Sequence, residues 1–463
     1  MQRVVLHARP RHFRAPLAIA VSVLTLAVAY PCAATVYRVG HGQKHARVSQ
    51  VAAKLKPGDV VEVVGDMEDS FILSRSGTAD KPIIVRGVST PGNPATRPHV
   101  TIRPGSPCAI ICRGNWNVIE GLDISGAVEV KTFEAASAIY SEADNLVVRN
   151  CNIHHNKQGI YGDSYRSGST LIEFCEFDSN GGVSADGANL HSVYLCSRKV
   201  GAVSTVQNCY FHDAVGGAFL KTRCTRNLIR YNWFENAYLT SITAVDTYQS
   251  MEPPRGLYPM HSDIYSNVFF QGWSPGPTYS VLSLGGESEG DPGTEGDFSI
   301  AHNLFVVTKR LSTPCVQVHG NVDRVNLWSN VFMDYGVNDW MVYDRGSTWD
   351  APRTREFIKR RGSGEPLVGG ANNWISNKGG GVPKTLAGTI TGDDPRVLSL
   401  PKADFRPRSD SPLAGAGLPI LPGGRLSGLI PEYEPLRGMP DSAHPIVRRP
   451  AKHPSIGPFE TAE

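Results

Sequence analysis

The run LVVRNCNI, residues 146–153, decides the fold because the chain writes the same pattern repeatedly. LIEFCEF follows at 171–177, STVQNCYF at 204–211 and LIRYNWF at 228–234. IYSNVF at 264–269, IAHNLF at 300–305 and LWSNVF at 327–332 continue it. Each unit is a short β-rich run, then Cys or Asn, then an apolar residue two places on. The closing residues are Ile153, Phe177, Phe211, Phe234, Phe269, Phe305 and Phe332, separated by 24, 34, 23, 35, 36 and 27 positions. A fixed minimal period with variable additions is one coil per repeat, with loops inserted in some coils, and that is how a solenoid reads.

Stacking gives the pattern its physical meaning. Coils lie on one another at the inter-strand distance, about 4.8 Å, so equivalent positions pile into columns. The closing residues make an aromatic core column. Two places before them stand Cys151, Cys175, Cys209, Asn232, Asn267, Asn303 and Asn330. An inward Asn at a bend can bond the backbone of adjacent coils, and a buried Cys fills the same small space as an apolar residue. The chain is therefore expected to be all-β, a single parallel β-helix over residues 35–416. Apolar residues from Val48 to Leu55 have helical spacing and predict a short amphipathic helix capping the first coil. Residues 417–463 are rich in Pro and Gly, lose the repeat and predict an irregular tail laid on the last coils.

The first 34 residues read as a signal peptide. Arg3, Arg9, Arg11 and Arg14 precede an apolar run from Ala15 to Tyr30, and small residues close the segment. The full chain has 46 basic and 43 acidic residues. Without the four signal arginines the balance is 42 against 43, a net charge of −1. No global field then draws the protein to nucleic acid or an anionic membrane, and no later stretch is long and apolar enough to span one. A secreted or periplasmic monomer is expected. Eight Cys remain after processing. Stacked free thiols are the first expectation for Cys151, Cys175 and Cys209. Cys108 with Cys112, and Cys196 with Cys224, are the pairs open to bridging in an oxidising compartment. No Cys/His spacing marks a structural zinc site.

LKPGDVVEV (55–63) and SGTADKPIIVRG (76–87) resemble the N-terminal coils of the pectate-lyase-like superfamily of right-handed parallel β-helix proteins. DFRPRSDSPLAGAG (404–417) and SIGPFE (455–460) resemble its usual ending, so the resemblance covers nearly all the mature chain. It implies a single-stranded right-handed β-helix and points to fold more than to chemistry. FLKTR (219–223) resembles the short strand that carries the lysine base in the alginate and chondroitin lyase group. That group places an essential Arg on the next strand, where this chain has TSITAVDT (240–247) instead.

Candidate chemistry concentrates in residues 154–263. Eliminating across a uronic acid removes the proton beside a carboxylate, which needs a base and a cation to neutralise that carboxylate. Lys221 is the candidate base and Arg223 the neutraliser, with Arg226 and Arg230 available for carboxylate binding. His191 and Tyr194, one coil earlier, are candidates for the acid that protonates the leaving oxygen. His212, Asp213 and Asp163 are candidate substrate contacts. Asp246 is a candidate Ca²⁺ ligand, acid or orienter of Lys221, and with Asp163 it would supply the two carboxylates a hydrolase needs. His154, Asp178, His212 and Glu235 each follow a closing residue and predict a hydrogen-bonded outward ladder. The expected function is a polysaccharide lyase acting on an acidic glycan. The alternatives are a noncatalytic glycan-binding or adhesion β-helix, a uronate epimerase, or a glycoside hydrolase on the same fold.

Overall fold

The computed structural model describes residues 34–89, 96–129, 136–245, 259–273, 275–286, 295–307, 314–319, 322–334, 342–345, 367–377, 382, 384–419, 421, 426, 431–438 and 454–461. The expected signal peptide lies outside these residues. Among the described residues three long parallel sheets run along the solenoid, with 13, 12 and 10 strands; we call them sheets A, B and C in that order. One coil shows the path. Ala218–Arg223 lies in sheet C, Arg226–Arg230 in sheet A and Trp233–Glu235 in sheet B, and Thr240–Ala244 returns to sheet C one coil on. Among the described residues no helix is long and apolar enough to cross a membrane.

The corner between sheets A and B explains the repeat. The residue just before each Cys or Asn is left-handed: Asn150, Phe174, Asn208, Tyr231, Ser266, His302 and Ser329 all have φ between 52° and 60°. Such a bend is costly for a residue with a Cβ and strips backbone groups of their ladder partners. The column residue repairs this. Asn267 donates through Nδ2 to Ile229 O of the preceding coil at 3.0 Å and to Tyr265 O at 3.1 Å. Its Oδ1 accepts the Asn232 backbone N–H at 3.0 Å. The same links join Cys209 to Asn232, Asn267 to Asn303 and Asn303 to Asn330, and Asn373 adds one more rung.

The three cysteines do more than fill space. Cys151, Cys175 and Cys209 donate through Sγ to Arg149 O, Glu173 O and Gln207 O at 3.2, 3.3 and 3.2 Å. Asn267 makes the same bond, to the carbonyl two residues back, so Cys and Asn are alternative donors at one corner. The closing residues form the expected core column in register from Ile153 to Phe332, and Ile124 and Ile375 extend it. Phe177, Phe211, Phe234, Phe269, Phe305 and Phe332 stack with centroids 4.6–5.1 Å apart.

Two expectations need correction. Val48 to Leu55 is not one amphipathic helix but two single 3-10 turns, Val48–Gln50 and Ala52–Lys54. Val48, Val51, Ala52 and Leu55 are nonetheless buried against the core. Eight residues before Pro57-Gly58 are too few to offset helix nucleation. The described cysteines, Cys108, Cys112, Cys196 and Cys224 among them, are buried thiols not joined by disulfides. Cys108 and Cys112 stand at the two ends of one strand, about 13 Å apart at strand rise, beyond disulfide reach. Burial pushes the Cys112, Cys196 and Cys224 thiols up to about 12, which keeps them protonated and unreactive.

Beyond the coils, Val397–Ser399 and Asp404–Pro407 form an antiparallel pair. Phe405, Leu413, Ile456 and Phe459 bury themselves against Trp233, Val268, Leu304 and Val331 on the outer side of sheet B. Arg437 clamps this segment with two hydrogen bonds to Glu235, at 2.6 and 2.8 Å.

Candidate functional site

Sheet C carries one outward column that changes chemistry along its length. In register it reads Tyr140, Tyr161, Tyr194, Lys221, Thr243, Ser283 and Gln317. Three tyrosines from consecutive coils lean on one another, with centroids 5.6 and 5.5 Å apart. Lys221 follows directly. Its Nζ sits 4.9 Å from the centroid of the Tyr194 ring, and the residue is only 6% exposed. A cation over an aromatic face is held electrostatically, the more so where water is excluded. Arg223, two residues along the same strand, donates through Nε to the Tyr194 phenolic oxygen at 2.8 Å. Lys221, Arg223 and Tyr194 therefore form one cluster.

His191 belongs to the cluster's floor. It is 3% exposed, and its ring lies edge-on to Tyr194 at 5.3 Å. The Ala218 backbone N–H donates to its Nδ1 at 2.9 Å, so the neutral imidazole carries its proton on Nε2. Burial, and then the charges of Lys221 and Arg223, hold His191 well below its ordinary range. A buried neutral imidazole of this kind orients its neighbours and is a poor reservoir of protons at neutral pH.

The other expected residues fall elsewhere. Asp163 borders the column, where it accepts from Tyr140 Oη at 2.9 Å and caps the backbone N–H groups of Tyr165 and Arg166. Asp246, and with it the expected Ca²⁺ ligand and the hydrolase carboxylate pair, lies outside the described residues. Arg226 and Arg230 are on sheet A, not on the face of Lys221. Arg226 pairs with Asp263, which is 1% exposed. Arg230 donates to Gln207 Oε1 at 2.8 Å and to Tyr265 Oη at 2.7 Å. Both arginines hold coils together. His212 ends a sheet B strand and Asp213 begins the turn after it, so this pair sits on the third face. Tyr140 and Tyr161, which the sequence does not mark as site residues, are aligned with Tyr194 and Lys221 by the coil register.

The expected outward ladder of His154, Asp178, His212 and Glu235 is in register on sheet B. His212 meets Glu176 Oε1 at 3.0 Å through Nε2 and Asp213 Oδ2 at 2.7 Å through Nδ1. Burial opposes its charge, but the hydrogen bonds to Glu176 and Asp213 and the charges of Asp178 and Glu176 win, and its pKa is raised to about 9. The consequence for stability has a definite sign. A raised pKa in the folded state contributes stability that is fully present below the ordinary value near 6.5 and is lost as pH rises through about 9. The stability difference between the wild type and His212→Gln should therefore be largest near pH 6 and shrink by about 1 kcal/mol or more towards pH 10. Urea unfolding at the two pH values checks this. A difference that does not change would contradict it.

Residues 83–252 match the family model described as a right-handed β-helix region. Among curated proteins no sequence match is found. Among solved structures, pectate lyase Pel9A is similar at 11% identity with a TM-score of 0.51, over 92% of this chain and 96% of that one. An alginate lyase from Paenibacillus sp. strain FPU-7 aligns at 15% identity with a TM-score of 0.48, over 65% of this chain and 95% of that one. At 11% identity the likeness to Pel9A is one of fold. By its three parallel sheets, its corner ladder and this family match, the chain is a right-handed parallel β-helix.

Proposed function

We propose that the protein is an extracytoplasmic polysaccharide lyase that cleaves an acidic glycan by β-elimination on the outward face of sheet C. The observation that carries this reading is the cluster in which Lys221 Nζ lies 4.9 Å over the Tyr194 ring while Arg223 holds the phenolic oxygen at 2.8 Å. Proton abstraction requires the lysine in its neutral, basic form. In the proposed step neutral Lys221 takes the proton from the carbon beside the uronate carboxylate. The electron pair forms the new carbon–carbon double bond, and the glycosidic C–O bond on the next carbon breaks. Arg223 pairs with the carboxylate as charge builds on it. Tyr194, whose oxygen accepts from Arg223, donates its own proton to the leaving sugar oxygen. His191, neutral and fixed by Ala218, positions Tyr194.

The tyrosines before Lys221 stack on one another about 5.5 Å apart, with Tyr161 and Tyr194 buried. They wall the reacting group and leave part-buried Tyr140 and Arg223 as the groups a sugar chain would meet beside it. Incubation with a panel of acidic and neutral polysaccharides, followed by mass spectrometry, tests the proposal. Unsaturated oligosaccharides from an acidic member are expected. Binding with no product from any member would favour the noncatalytic alternative. Tyr194→Phe keeps the ring under Lys221 but removes the proton donor. It should lower kcat by about 10²-fold or more with little change in KM. Steady-state rates on the best substrate check this.

Export is part of the same proposal. The mature chain should begin close to Thr35, as read by N-terminal sequencing of protein from the native host. Intact Met1 in the cytoplasm would remove it.

A further inference from the structure

We infer that the outer face of sheet B carries a binding site for one divalent first-row transition-metal ion, Zn²⁺ by its donor set, formed by His99, Asp123 and His154. The three residues come from strands of three consecutive coils, His99–Thr101, Asp123–Ser125 and Asn152–His154. His99 is in register with Asp123, and His154 is in register with Ser125, two positions along. The period of two in a strand puts all three side chains on the same outward side. One ligand atom from each of the three lies within 4.8 Å of the others.

The spacing fits a shared ion. Asp123 Oδ1 is 2.6 Å from His154 Nε2 and 3.7 Å from His99 Nε2. The edge of a tetrahedron with metal–ligand bonds of about 2.0–2.1 Å is about 3.4 Å, between these two values. The two imidazoles are stacked at 5.8 Å and 25°, so both rings can aim Nε2 the same way. His154 Nδ1 is 2.8 Å from His155 Nδ1. An ion on Nε2 leaves the His154 proton on Nδ1, where it donates to His155 Nδ1, in the place usually taken by a carboxylate, carbonyl or water. Ser125 Oγ, 2.6 Å from His99 Nε2, is a neutral oxygen at the edge of the site. Two imidazoles, one carboxylate and an open fourth position suit Zn²⁺ and its neighbours, whereas Ca²⁺ takes six to eight oxygens.

The second cluster on this face shows why the first is different. Around His212 both ring nitrogens are engaged by carboxylates, of Glu176 and Asp213. That imidazolium is itself the cation of its cluster. At His99 and His154 two imidazoles share one carboxylate, so with both rings neutral the donor set offers one negative charge and two nitrogen donors to an ion, and the occupied site has net charge +1. The inference is independent of the lyase reading, because the site lies on sheet B and the Lys221 cluster on sheet C.

The test uses the mature protein without an affinity tag, stripped with EDTA and titrated with Co²⁺ as a visible-range probe. The wild type should take up one equivalent, develop the absorption bands of four-coordinate Co²⁺ and lose them to Zn²⁺. His99→Ala and His154→Ala should each weaken uptake at least tenfold, and His212→Ala should leave it intact. Thermal unfolding in EDTA verifies that each variant is folded, and Asp123→Asn serves if either alanine variant is not. Wild-type protein that takes up no Co²⁺ overturns the inference. So does uptake that survives in folded His99→Ala, or that is lost in His212→Ala instead.

Discussion

Lys221→Ala should reduce product formation by roughly 10²–10⁴-fold, the usual contribution of a positioned proton-transfer group. The coils should remain intact. Lys221 faces outward from sheet C, while its strand neighbours Leu220 and Thr222 are fully buried. Ala keeps the strand register with Tyr194 and Thr243. Polymer binding should largely persist, because the part-buried Tyr140 and Arg223 are untouched. Loss of turnover with retained binding and an unchanged unfolding curve is the expected combination. Lys221→Arg separates charge from basicity. Arginine keeps the cation over the Tyr194 ring but cannot release its proton near neutral pH, so it should fail to restore turnover. Full activity in Lys221→Ala would move the chemistry to another part of the molecule.

Asn267→Leu should destabilise the fold by at least roughly 3 kcal/mol, because more than one buried group loses its partner and each costs about 1–3 kcal/mol. The Asn232 backbone N–H loses Oδ1, and the Ile229 and Tyr265 carbonyls lose Nδ2. The left-handed bend at Ser266, with φ 52°, loses the bonds that offset it. Leucine also brings a larger, branched side chain into a column otherwise filled by Asn232 and Asn303. Asn267→Cys should cost clearly less. Cys209 shows that a thiol at this corner can reach the carbonyl two residues back, at 3.2 Å. Urea midpoints of the two variants decide it. Equal loss would mean that the column selects for size and not for the hydrogen bond.

The fold was legible because stacking imposes one chemical requirement at the same place in every coil. Ile153 and the Phe column, and the Cys and Asn positions two before them, repeat for that reason. The shared donor role of Cys and Asn was not visible, since it depends on the left-handed residue in front, which ranges over Asn, Phe, Tyr, Ser and His. The N-terminal segment misled because Val48, Val51, Ala52 and Leu55 bury one face under either helical geometry, and spacing does not reveal that the run is too short.

Part of the candidate site was equally legible. Lys221, Arg223, Tyr194 and His191 meet because neighbouring coils align their sheet C strands. Arg226 and Arg230 looked close to Lys221 in sequence, but the corner at Cys224-Thr225 carries them to another sheet. His212 and Asp213 are likewise turned onto a third face. His99, Asp123 and His154 are separated by 24 and 31 residues, lengths set by the loops between coils, so no local spacing could announce them.

The central claim is elimination, and the oxygen of the new chain end tests it most directly. The protein is incubated with its acidic substrate in heavy-oxygen water and the products are weighed by mass spectrometry. Elimination breaks the glycosidic bond without adding water. Unsaturated ends are therefore expected, lighter by one water than hydrolytic products, with no heavy oxygen at the new reducing end when the products are reduced at once, before its hemiacetal exchanges with solvent. Saturated products carrying one heavy oxygen per cut bond would contradict elimination and identify a hydrolase.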